Sequence, residues 1–188
     1  MPVVDRKDLE TELASVLIVM ARQVELWTED FELAETLIGA KTGMMILDVN
    51  PDDVDLLRFP MAQRVLEAHS FAFAPTGDDA PALNNLYELA DMLAGIPRED
   101  YSSDVPAFPN YGGDSAISDV CQAAWARAAI DGVDGGLTDT LTTRQLALLA
   151  DMTEGAVRNA MTVAGEAGLH AVPKSKPVQV DEIGRAHV

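Results

Sequence analysis

Cysteine is nearly missing from this chain: Cys121 is alone among 188 residues. That excludes an internal disulfide framework and any zinc site built on cysteines. Histidine is scarce too, and His69, His170 and His187 lie far apart, without metal-ligand spacing. Aromatic residues make up only 5%, so Leu, Ala, Val and Met must fill the core. Long apolar runs are absent; Val16 to Ala21, the longest in the first helical segment, falls far short of a membrane span. Positive charge is short as well, with 13 Lys and Arg against 31 Asp and Glu and a formal net charge of -18. The opening residues, with Asp5, Arg6, Lys7 and Asp8, do not have the form of a signal peptide, so a cytoplasmic setting is expected.

What is present supports a globular protein. Hydrophobic residues reach 48%, enough for a real core, and the length fits one domain, or one domain plus a small module. Alanine-rich segments with few β-branched runs favour helices. The charge is unevenly spread. Residues 138–188 hold Arg144, Arg158, Lys174, Lys176 and Arg185 against Asp139, Asp151, Glu154, Glu166, Asp181 and Glu182, so this stretch is close to neutral. Nearly all the excess acid lies before it, which points to two modules with different electrostatic roles.

Periodicity gives the elements. Leu9, Leu13, Val16, Leu17, Met20, Val24 and Trp27 recur at steps of three and four, the pattern of a long helix over 6–29 capped by Asp5 or Asp8. Residues 31–40 form a second helix loosened by Gly39 and Gly43. Met44 to Leu47 is an apolar run, either a buried turn or one strand. Asn50-Pro51 reads as a helix start, with the helix reaching His69 and Pro60 as a kink or break. After a Pro- and Gly-rich loop at 74–81, Leu83, Leu86, Tyr87, Leu89, Ala90 and Leu93 mark another helix, ended by Gly95 and Pro97. A long proline-rich connection, 97–114, leads to a helix carrying Ile117, Val120, Cys121, Ala124, Trp125 and Ala128. "DGVDGGLTD", 131–139, is the best linker.

Chemistry-bearing motifs are few. "DVNPDDVDL", 48–56, alternates acidic and amide residues like a calcium loop, but Asp53 stands where glycine is needed and Phe59 where the bidentate glutamate belongs. Helix capping explains the stretch better. Cys121 sits beside Val120 and Ala124 on an apolar helix face, the setting of an inert thiol. The glycines of 110–114 and 134–137 lack the lysine and strand context of a phosphate loop. No enzyme, cofactor or metal is expected.

"TTRQLALLADMTEGAVRNAM", 142–161, reads as two short helices with a break between them. Ala147 and Val157 lie ten positions apart in sequence, a small residue in the first helix and an apolar one in the second; Leu146, Ala150, Met152 and Ala160 are further candidates for burial. Thr153 is placed to cap the second helix. This stretch resembles the helix-turn-helix family in its small winged or excisionase-like form. The family often has glycine at the turn; here Asp151 stands there, a residue that tolerates left-handed backbone. After Gly168 the chain reads as strand, turn and strand, then a helix capped by Asp181, of which the sequence holds about two turns.

Periodicity, the charge shift and the linker predict an all-α protein with an acidic helical domain, 1–132; the resemblance adds a winged helix-turn-helix, 138–188. It implies sequence-specific binding of double-stranded DNA in transcription regulation, read by helix 153–167. Thr153, Glu154, Gly155, Arg158, Asn159 and Thr162 then face the bases. Arg158 suits a guanine edge and Asn159 an adenine edge. Thr142, Thr143 and Arg144 open the first helix toward phosphate, and Lys174, Ser175 and Lys176 form a basic wing turn. The seam of helix 6–29 suits a homodimer, with Trp27 as an interface anchor; the acidic domain reads first as a solvated surface that aids solubility, with a protein partner as the alternative, and no membrane is involved. The alternative is an interaction protein whose helical pair contacts protein alone.

Overall fold

The computed structural model describes residues 4–41, 45–73, 83–96, 115–133, 140–163, 170–171 and 179–181. Within them the chain is mainly α-helical, with a small antiparallel sheet. The α-helices are α1 (Arg6–Thr28), α2 (Phe31–Ile38), α3 (Pro60–Phe73), α4 (Leu83–Gly95), α5 (Ala116–Ile130), α6 (Thr143–Leu149) and α7 (Glu154–Val163). The strands are β1 (Thr140–Thr142), β2 (His170–Ala171) and β3 (Gln179–Asp181). Contacts divide the chain into two compact units: Val4–Glu67 with Tyr87–Asp119, and Ala68–Leu86 with Val120–Val188.

The first unit is organised by α1. The Asp5 carboxylate accepts the Lys7 N–H at 2.6 Å and starts the helix; Glu29, left-handed at φ 55°, ends it. Asp30 accepts the Leu33 N–H at 2.9 Å and starts α2, which Gly39 ends at φ 73°. These closely spaced caps fold α2 back onto α1. Ala14, Ile18 and Ala21 of α1 are buried in one cluster with Ala34, Ile38, Ile46, Val49 and Val54. Each fully buried aliphatic side chain of Val, Leu or Ile size contributes about 1.5–3 kcal/mol. The cluster is closed from 45 to 59 by short 3₁₀ turns rather than by a strand.

Those turns correct the expected helix from Asn50 to His69. Asn50 caps only a 3₁₀ turn, Pro51–Asp53, by accepting the Asp52 N–H at 3.2 Å. Asp55 caps the next, Leu56–Arg58, by accepting the Leu57 N–H at 3.1 Å. The side chains offer local partners in place of a continuing helical ladder. Pro60 bars the α conformation from Phe59 and so opens α3 instead of kinking it. These capping bonds account for Asn50 and Asp55 of 48–56, and Asp52 pairs with Lys7 of α1.

The start of α5 is closed from a distance. Glu12 accepts the Ala116 N–H at 2.7 Å and also takes the Ser115 hydroxyl proton in a short hydrogen bond. Two donors at a helix start are thus satisfied by one carboxylate on α1.

The second unit carries the end of the chain. Gly132, at φ 70°, follows α5. The sheet order is β1-β3-β2, all antiparallel, with Leu141 opposite Val180 and Ala171 opposite Val180 on its other side. The segment order is therefore strand, helix, helix, strand, strand, with the last strand in the middle. Leu141 is buried. The helix expected after Asp181 lies outside the described residues, as do the loops 74–81 and 97–114. No helix among the described residues is long and apolar enough to cross a membrane.

Candidate nucleic-acid interface

Helix α6 begins on the last residue of β1. The Thr142 hydroxyl accepts the Gln145 N–H at 3.1 Å, and the Gln145 side-chain oxygen accepts the Thr142 N–H at 2.8 Å. This reciprocal capping box is written in the sequence as Thr-x-x-Gln, a local signal for the start of α6. The helix ends at Leu149. The Ala150 N–H bonds to the Leu146 carbonyl and the Met152 N–H to the Ala147 carbonyl, both at 2.9 Å. Between them Asp151 takes φ 51°, the left-handed position where glycine is usual. Thr153 then caps α7, its hydroxyl accepting the Ala156 N–H at 3.1 Å.

The two helices pack together, with Ala147 and Val157 2% and 4% exposed. Other expected core positions differ. Leu146 is half-buried, and Ala150, Met152 and Ala160 are exposed; Leu148, at 4%, takes the place assigned to them. The reason is geometric. Ala150 and Met152 flank the reversal itself, and the inward stripe of α7 runs through Glu154, Val157 and Met161 rather than through Ala160.

Thr153, Gly155, Arg158, Asn159 and Thr162 are exposed, and Glu154 is half-buried. A Cβ on Gly155 would meet only the Thr153 hydroxyl, at 3.9 Å, so this face has room for close approach. The Thr162 hydroxyl donates to the Asn159 carbonyl at 2.7 Å, leaving the Asn159 side chain uncommitted by that bond. At the start of α6 the side chains have partners within the chain. Thr142 is engaged in its capping box and Arg144 is half-buried with an interaction of its own. Thr143 is only 3% exposed and donates its hydroxyl to Glu154 Oε2 at 3.2 Å. Its side chain therefore ties α6 to α7. Lys174, Ser175 and Lys176 fall in the connection between β2 and β3, outside the described residues.

One carboxylate organises the charge. Glu154 Oε2 also accepts Arg158 Nη2 at 2.7 Å, one turn along α7. Glu154 lies in the first turn, where the helix dipole favours an anion. The pair makes this part of the face neutral although the rest of the chain is strongly acidic.

Comparison with known proteins finds no matching family model, no matching curated protein and no matching solved structure.

Outside the helix pair the candidates thin out. Cys121 is 2% exposed, and burial pushes its thiol up to about 12, far from a reactive thiolate. No group of three or more His, Cys, Asp or Glu able to hold a metal occurs among the described residues. The α1 seam is split. Leu9, Leu13 and Val16 are buried within the chain at 0%, 4% and 5%, Val24 is half-buried, and Met20 and Trp27 are exposed at 43% and 85%. Most of the seam is thus used by the chain's own core.

Proposed function

We propose that residues 138–188 form a winged helix-turn-helix that reads double-stranded DNA by sequence in transcription regulation. The observation that carries this reading is the face of α7. Val157 is buried while Thr153, Gly155, Arg158, Asn159 and Thr162 stand outward beside a glycine that admits close approach. Such a helix fits a major groove, with Arg158 suited to guanine and Asn159 to adenine. The order of segments adds support: a strand before the helix pair and two after it, joined in a β1-β3-β2 sheet, is the arrangement a wing requires. Lys174 and Lys176, between β2 and β3 in sequence, would then approach phosphate.

The acidic remainder repels the DNA polyanion and so restricts attraction to this module, lowering non-specific binding. A homodimer would match a palindromic site. Because Leu9, Leu13 and Val16 are inside the chain, it would pair through the exposed end of α1 at Met20 and Trp27. Those same side chains would suit a protein partner of the acidic region.

The test is selection of duplexes from a random pool by the intact chain at stated, modest salt. An enriched sequence is expected. Arg158→Ala should then cost about 1–3 kcal/mol on that sequence and relax one base pair. Lys174→Ala should weaken all duplexes alike and reduce the salt slope by about one. Selection without enrichment overturns the reading. A second reading, contact with protein alone, has one observation in its favour: Met152 and Ala160 are exposed near the neutral Arg158–Glu154 pair.

A further inference from the structure

Resting on the DNA reading above, we infer that Glu154 is a positioning residue. Anchored by Thr143, it holds the Arg158 guanidinium in the pose that reads a guanine, and so sets specificity at one G·C pair without touching a base itself.

Thr143 is 3% exposed, and its hydroxyl donates to Glu154 Oε2 at 3.2 Å on the neighbouring helix. A carboxylate on a lone helix face samples several rotamers; this one is held from behind. The same oxygen accepts Arg158 Nη2 at 2.7 Å. That bond uses one of the five guanidinium N–H groups. The Arg158 side chain remains 57% exposed, so donors are left for an outside acceptor. Bidentate recognition of guanine O6 and N7 needs the guanidinium plane fixed before contact, because a planar fork held in place loses less freedom on binding. The chain Thr143–Glu154–Arg158 supplies that restraint across α6 and α7.

The reading makes a prediction of unusual sign. Removing an acid from a DNA-facing surface ordinarily strengthens binding to every sequence, through reduced repulsion. Here Glu154→Gln should raise affinity for random duplex yet lose preference at the base pair that Arg158 reads.

The experiment uses the intact chain and random-pool selection with wild type, Glu154→Gln, Thr143→Val, Thr143→Ser and Arg158→Ala, each checked by its thermal melt. Arg158→Ala identifies the dependent base pair. Glu154→Gln should reduce guanine preference at that same pair about tenfold, the scale of one lost charge-assisted hydrogen bond. Combined with Arg158→Ala it should add nothing further. Thr143→Val should reproduce part of the loss, and Thr143→Ser, which keeps the hydroxyl, should retain the preference. In the free protein the Arg158 side-chain N–H signals should broaden in Glu154→Gln and Thr143→Val and stay sharp in Thr143→Ser. Retained guanine preference in Glu154→Gln, with tighter binding to all duplexes, would overturn the positioning role while leaving the DNA reading intact. Failure of wild type to enrich any sequence would overturn the DNA reading, and this inference with it.

Discussion

The turn between α6 and α7 depends on a non-glycine residue in left-handed backbone, and that makes Asp151 a quantitative probe. At φ 51° an L-residue suffers a clash of its Cβ costing about 1–2 kcal/mol, with aspartate toward the lower end. Asp151→Gly removes that strain. It also loosens the unfolded chain, which offsets about 0.4–1 kcal/mol. The net expectation is a gain of about 0.5 kcal/mol. Asp151→Asn should be close to neutral. Asp151→Ala should lose about 0.5–1 kcal/mol, and Asp151→Val more, because a β-branched side chain fits this region worst. The side chain is exposed, so burial contributes little to the series. Urea unfolding of the intact chain is the assay. With a slope of about 2 kcal/mol per molar, the spread from glycine to valine should shift the midpoint by roughly 1 M, with the slope unchanged. A flat series, or a glycine variant less stable than the alanine one, would refute the left-handed turn and the helix–helix geometry built on it.

Three further outcomes follow from packing and charge. Cys121 should resist thiol reagents in the native state at neutral pH. Its native thiol keeps its proton from pH 9, the ordinary value, to about 12, while the unfolded thiol loses it, so stability should fall with rising pH across that window by up to about 1.4 kcal/mol per unit, measured by urea titrations at several pH values. Glu12→Ala should destabilise by about 1–3 kcal/mol, since Ser115 and the Ala116 N–H lose their shared acceptor; an unchanged thermal melt would contradict the contact. Ala147→Leu should cost about 1–3 kcal/mol through overpacking where α6 meets α7, seen as a lower urea midpoint, whereas Ala160→Leu, at an exposed position, should be nearly silent.

Much of the local structure was legible in the sequence. The step pattern from Leu9 to Trp27 marks α1 to within a residue or so, because a helix half-covered by its own chain must repeat its apolar positions. The cap at Thr153 was readable from side-chain chemistry, and the turn at Asp151 from the resemblance together with aspartate's tolerance of left-handed backbone. The 3₁₀ turns at 51–58 were not, because Asn50-Pro51 starts either kind of helix and the outcome depended on Asp55 and Pro60 further on. Strand β1 has three residues and exists through pairing with β3, far downstream, so no local window contains it. The Thr143–Glu154 bond is of the same kind. Each residue is ordinary in its own helix, and the link appears only when α6 and α7 fold together. The α1 seam shows the converse: its period is equally compatible with a partner chain and with the chain's own core, and for Leu9, Leu13 and Val16 the core is the answer.

The proposed function places the outward face of α7 against DNA. A photo-crosslinking side chain placed at Asn159 of the intact chain, activated in cells, tests it most directly, because that position is exposed and lies between Arg158 and the end of the helix. Cross-linked DNA fragments that share a sequence are expected, with sharing lost in Arg158→Ala and the same probe at Trp27 yielding no DNA. Cross-links from Asn159 to protein alone, unchanged in Arg158→Ala, would contradict it.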